Sequence, residues 1–400
     1  MFDQLCTSPA AVARHRSGPL MEERLAYITH LANQGYARNT LRETATDLLL
    51  IVKMLGLSSR PQKAMTPDEV GRKVANPRRV RELAVRWLKF MGLLQQRPAP
   101  LTPLAKKIKA FADYMEREAE LAPGTVFNRC WFVTRLLDRL HIKGGSLHHI
   151  TPHRIDIAFQ KLLEPGGYAR TTIQTFAGSL RAFLRFAEAR GWCRKGLAAS
   201  IQAPRIYSQA SLPLGPSWDD VRRLLAMTEG DKPSDIRARP ILMLLAIYGL
   251  RRGEVGRLRL DDLDWEHEVF RVVSSKTGRV RTYPLVRSVG DAILRYLQEV
   301  RPRSSHREVF LSLRPPFRPM LGSLTALVRD RLRSLHVSPP HCGPHALRHA
   351  CASRLLAAGL SLKEIGDQLG HTDPETTRIY AKVDLVGLRE VADFDLGGVL

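Results

Sequence analysis

From Met21 onward the apolar residues of this chain recur at helical spacing, in short segments closed by a glycine or opened by a capping residue. Leu25, Ile28, Leu31 and Ala32 form one stripe that Gly35 ends, and Asn39 or Thr40 can cap a second helix through Leu48, Leu49, Leu50 and Ile51. Met65-Thr66-Pro67-Asp68 opens another helix with proline in its first turn, and 80–94 carries Leu83, Val85, Trp87, Leu88 and Phe90. Strand-like alternation is read at 268–273 and 280–285, joined by a turn from Ser274 to Arg279. The pattern predicts a mostly α, multidomain protein: helical bundles first, then a mixed α+β domain with a small antiparallel sheet. Four hundred residues exceed what one core usually supports, so two or three domains are expected.

The organisation follows from the breaks in the pattern. Residues 1–20 read as an unpatterned tail, 21–100 as an N-terminal helical module and 105–205 as a second one. Ala122-Pro-Gly-Thr125-Val126 lies 85 residues after Ala37-Arg-Asn-Thr40-Leu41, and Ile150-Thr151-Pro152 lies 85 after Met65-Thr66-Pro67. One shared offset points to a duplicated module or to chance likeness between two small bundles. In the helix at 172–191, Arg181 and Arg185 stand between Phe183 and Phe186, so it can bury its rings and offer its guanidiniums to phosphates or to solvent. A proline-bearing linker at 206–216 leads to the last domain, 217–400, which Ser217-Trp-Asp-Asp220 opens with a capping pattern.

The charge defines the partner. A formal charge of +23 and a pI near 10.4, spread along the chain, predict a polyanion, with double-stranded DNA ahead of an anionic membrane surface. Five scattered cysteines argue for a reducing compartment, and the longest apolar run, 241–250, is about half a membrane span, so a cytoplasmic protein is expected.

The densest chemistry lies between His341 and Tyr380. His345 and Arg348 are one helical turn apart and share a face, so both can point at one anion. His341, Cys342, His349 and Cys351 nearby raise a metal site, but Gly343-Pro344 separates the first pair and no H-E-x-x-H or paired C-x-x-C occurs; the reading is no metal and no cofactor. Lys276-Thr-Gly278 is shared with serine β-lactamases, but their S-x-x-K is missing from the chain.

His345-Ala-Leu-Arg348, Leu369-Gly370-His371 and Thr376-Thr377-Arg378-Ile379-Tyr380 together resemble the tyrosine recombinases, or phage integrases, over roughly 105–390. Gly249-Leu250-Arg251-Arg252-Gly253-Glu254 matches that family's G-L-R-x-x-E motif; register favours Arg251 over Arg252 as the first catalytic arginine, with Glu254 bracing the turn and Arg252 facing DNA. The resemblance implies that 105–205 is a SAM-like core-binding domain contacting DNA, with Arg181, Arg185, Arg252 and Arg279 as candidate contacts. It implies roles for six residues: Tyr380 as nucleophile, Arg251 and Arg348 on the phosphate in the transition state, Lys276 as general acid, His345 as base or orienter, His371 as a phosphate hydrogen bond. His349 is then a packing residue or a support for the residues that touch the phosphate. The chemistry suits the residues, because a phosphodiester is anionic and its pentavalent transition state needs neutralising by guanidiniums able to bind two oxygens. A tail from 381 is expected to dock on a neighbouring protomer of a DNA-bound tetramer, and other recombinases of the same element are possible partners. Two further readings remain: a type IB topoisomerase-like enzyme, and a DNA-binding accessory protein without activity.

Overall fold

The computed structural model describes residues 1–57, 64–74, 77–95, 101–142, 145–164, 167–203, 215–274, 278–337, 342–371 and 373–380. Lys276, most of the linker and the tail from 381 lie outside the described residues. The chain is mostly helical with one small antiparallel sheet, as expected, and it divides into two compact units: Gln96–Ala210, and Met1–Gln95 together with Ser211–Leu400. Among the described residues no helix is long and apolar enough to cross a membrane.

Residues 1–20 differ from the expected tail. They form α1 (Phe2–Leu5) and α2 (Pro9–Ser17), and Phe2, Leu5 and Leu20 are buried in the N-terminal core. Apolar residues so few and so close to the terminus show no period; their partners on later helices order them. There follow α3 (Met21–Asn33), α4 (Arg38–Leu55), α5 (Pro67–Lys73) and α6 (Arg78–Phe90). The α4 helix starts earlier than Asn39 or Thr40 would place it, with Ala37 at the cap. Thr66 caps α5 in a reciprocal box with Glu69. The amphipathic faces of α3 to α6 close over Ile28, Leu48, Ile51, Trp87 and Leu88.

The second unit repeats this order of helices: α7 (Pro103–Arg117), α8 (Pro123–Arg139), α9 (Pro152–Leu163) and α10 (Arg170–Ala189). Its capping is parallel too, with Ala122 before α8 and the Thr151 hydroxyl accepting from Arg154 N at α9. Phe111, Phe176 and Phe183 fill the core, with Phe186 at its edge. Arg181 donates to Ile201 O at 3.0 Å, so its guanidinium ties the end of the unit to α10, while Arg185 is exposed.

In the C-terminal region α11 (Trp218–Ala226) starts at the Ser217–Asp220 box read from sequence. It leads to α12 (Pro233–Ala246), which is buried on nearly all sides from Ile236. Next come α13 (Arg252–Arg257) and a sheet of β1 (Leu263–Asp264), β2 (Val269–Val273) and β3 (Val280–Pro284), antiparallel in that order. The two-residue β1 is too short to alternate visibly. Opposite Phe270 stands Tyr283 and opposite Val272 stands Arg281, so Arg281 shares the inward face of the sheet. Helices α14 (Arg287–Arg295) and α15 (Leu324–Ser334) complete the layer over α12. Last come α16 (Pro344–Ala357), α17 (Leu362–Leu369) and the single turn α18 (Glu375–Arg378), which places Tyr380 just beyond its end.

Candidate active site

The site is built around the end of α17. The helix opens at a Ser361–Glu364 capping box and stops at Gly370, whose φ of +65° is the left-handed C-cap that delivers His371. Its last three carbonyls each receive a different arginine. Arg281 donates to Gln368 O at 3.2 Å, Arg348 to Leu369 O at 2.7 Å and Arg251 to Gly370 O at 2.8 Å. Carbonyls at a helix C-terminus lack partners inside the helix and carry partial negative charge, so guanidiniums satisfy both needs. The left-handed turn favours glycine at 370, and a Cβ there would also press on the Arg281 guanidinium.

Arg348 is 3% exposed and donates also to Gly249 O at 2.5 Å. Burial, with the Arg251 charge beside it, pulls its pKa down to about 10, which leaves it protonated at neutral pH. Glu254, equally buried, is the carboxylate under the cluster: it accepts from Arg251 N at 2.8 Å, from Arg251 Nη1 at 3.1 Å and from Arg281 Nη2 at 2.7 Å. Three guanidiniums around one carboxylate leave a net positive site, which an anion completes. Arg251, Arg252, Arg348, His345, Thr325 and Pro344 line a cleft of about 460 Å³ over it. Of the two adjacent arginines, Arg251 enters the cluster, whereas Arg252 is exposed and reaches Thr325 Oγ1 at 3.3 Å.

His371 points its Nδ1 at Thr377 Oγ1, 2.7 Å away. Burial first, then the charges of Arg348 and Arg251, push its pKa down to about 4, so it is neutral at pH 7. Thr377 Oγ1 holds Nδ1, and in the tautomer that receives the Thr377 hydroxyl proton, Nε2 carries the ring proton and can donate to a phosphate oxygen. Thr377 is 3% exposed, because the single turn of α18 packs this face on α17.

Tyr380 is 2% exposed and packs with Cys351, Ala352, Ile365 and Leu369. Burial pushes its pKa up to about 12, with the Arg348 charge opposing the shift. Its Oη lies 2.8 Å from Nδ1 of His349, which the sequence offered as a packing or supporting residue without naming this partner. His345 lies on the cleft side, its ring 4.5 Å from that of His349. Arg279 is exposed beside the turn.

Sequence reading missed Arg281, Thr377 and the tyrosine contact of His349. A signal existed for Arg281: two residues before an inward tyrosine on an alternating strand, it has to face the same way. Tyr283 itself donates to Gln368 O at 2.7 Å.

The phage integrase family model matches residues 217–385, and that of the phage integrase N-terminal SAM-like domain matches 108–191. The integrase/recombinase named y4rA from Sinorhizobium fredii is 41% identical over 291 residues, covering 71% of this chain and 69% of the relative. Tyrosine recombinase XerC of Alcanivorax borkumensis is 34% identical over 293 residues, covering 72% and 92%. A lambda integrase tetramer bound to a Holliday junction shares the fold at a TM-score of 0.54 and 17% identity, over 76% of this chain and 87% of that one.

Proposed function

The chain belongs to the phage integrase family and is a tyrosine recombinase, an enzyme that breaks and rejoins DNA strands; from that premise we propose that it recombines specific sites through a 3′-phosphotyrosyl link and a Holliday junction. Tyr380 Oη bonds to the phosphorus while the bond to the 5′-oxygen breaks, and Lys276 protonates that oxygen. Arg251 and Arg348 neutralise the non-bridging oxygens, the Nε2 proton of His371 adds a hydrogen bond, and His345 orients the reacting groups or accepts a proton. The phosphotyrosyl link conserves the diester bond, so resealing by a 5′-hydroxyl draws on no nucleotide and no metal.

The observation that carries the reading is the gathering of Arg251, Arg348 and His371 at the end of α17, with Tyr380 close enough to Arg348 to feel its charge. Residues 105–205 hold the DNA and 21–100 form an arm or assembly module; the matched SAM-like domain supports the first of these. Assembly as a tetramer on paired sites is supported by the tetrameric lambda integrase. Integration, excision or transposition of a mobile element fits a relative named integrase/recombinase.

Incubation with a nicked suicide substrate is the test. The wild type traps a covalent protein–DNA adduct and Tyr380→Phe does not; an adduct from Tyr380→Phe sinks the assignment. With two duplex sites the wild type yields branched junctions, and relaxation of supercoils without junctions points to a topoisomerase instead.

A further inference from the structure

Two imidazoles on one face of α16 stand at different parts of the site. His345 lines the cleft with Arg251 and Arg348, where a phosphate is to lie. His349, one turn on, is the one that meets the phenol, with Nδ1 2.8 Å from Tyr380 Oη and its ring 5.7 Å from that of the tyrosine. We propose that His349 is the proton acceptor for the nucleophile, and that His345 serves the phosphate.

The argument begins with the burial of Tyr380. A phenol with 2% exposure in an apolar cluster is disfavoured as the anion, and burial raises its pKa to about 12, so little tyrosinate exists beforehand. The proton has to leave as the new bond forms, and it needs an acceptor already within hydrogen-bond distance. His349 Nδ1, 2.8 Å away, meets that requirement in the tautomer whose ring proton lies on Nε2. As Oη bonds to phosphorus, the Oη proton passes to Nδ1, the bond from phosphorus to O5′ breaks and O5′ takes the proton of Lys276. On resealing, the 5′-hydroxyl attacks phosphorus and gives its proton back to Lys276, the bond from phosphorus to Oη breaks, and His349 returns its proton to Oη. The step balances with no further reagent.

This inference rests on the strand-cleavage reading, and its test separates the two. Single-turnover adduct formation on the suicide substrate is measured for wild type, His349→Ala and His349→Asn, alongside DNA affinity and thermal unfolding. Asparagine keeps a hydrogen-bonding amide near the Nδ1 position but takes no proton. Both variants are expected to form adduct on the order of 10²-fold more slowly, with DNA affinity near that of the wild type. A second substrate carries sulfur in place of the bridging 5′-oxygen, a leaving group that needs no acid. It restores Lys276→Ala and leaves the His349 variants slow. His349→Asn at the wild-type rate, or recovery of the His349 variants on the sulfur substrate, overturns the proposal, while a wild type without adduct overturns the strand-cleavage reading first. If His349→Ala does not fold, His349→Asn and the sulfur substrate still decide.

Discussion

Arg281 donates to the buried carboxylate of Glu254 at 2.7 Å, although 27 residues separate them. Through that bond the strand after the hairpin is tied to the turn that bears Arg251. The same guanidinium also reaches Gln368 O, so one side chain links β3, α13 and the end of α17. Glu254 accepts from two guanidiniums, that of Arg251 on its own turn and that of Arg281 on β3. Arg251 also has Nη2 on Gly370 O, next to the Leu369 carbonyl that receives Arg348.

Arg281→Ala is therefore expected to slow adduct formation on the order of 10²-fold, the cost of a small misplacement of the phosphate-binding groups, while weakening DNA binding little. The buried carboxylate loses a partner as well, for a destabilisation of about 1–3 kcal/mol by chemical denaturation. Arg281→Lys keeps the charge but not the planar fork and should recover only part of the rate. An Arg281→Ala enzyme of full activity would show that Arg281 does not set the geometry.

Gly370→Ala forces a side chain into left-handed backbone and against the Arg281 guanidinium. The expected loss exceeds about 1 kcal/mol in urea unfolding, with a parallel fall in cleavage because His371 follows directly. Equal stability to wild type would count against the strained turn.

Thr377→Val removes the hydroxyl at His371 Nδ1 with little change in shape. Cleavage should fall about 10-fold, as for loss of a supporting partner around a site, with only a small change in melting temperature. Unchanged cleavage would mean that the imidazole needs no such orientation.

His371 also predicts acid behaviour. Its folded-state pKa of about 4 lies below the usual value near 6.5, because burial and neighbouring arginines disfavour the cation. Below about pH 6.5 the unfolded chain binds a proton that the folded one refuses, so stability is present above that pH and is lost as pH falls toward 4. Denaturant titrations from pH 7 to 4 should show a shallower decline for His371→Asn than for wild type. Parallel curves would refute the shift.

A chain of charge +23 should bind DNA with a steep negative slope of log K against log salt, measured by fluorescence anisotropy. A flat slope would remove phosphate contacts as the main source of affinity.

Much of this was readable along the chain because its causes are local. Helical period, the boxes at Thr66, Ser217 and Ser361, and the glycine stop at Gly370 involve residues a few positions apart. The spacing of His345, Arg348, His371 and Tyr380 carried the family and the candidate residues, and the register at Leu250-Arg251 named the arginine that enters the cluster. What escaped depends on partners far away in sequence. The terminal helices are ordered by a core from 21–93, Arg281 acquires its place 87 residues from Gln368, and Thr377 turns inward because its single helical turn packs on α17. Whether His345 or His349 meets Tyr380 cannot be read from two histidines on one helical face. It depends on where the packing of Tyr380 against Cys351, Ile365 and Leu369 sets the phenol oxygen, and that position arises when α16, α17 and α18 close on one another.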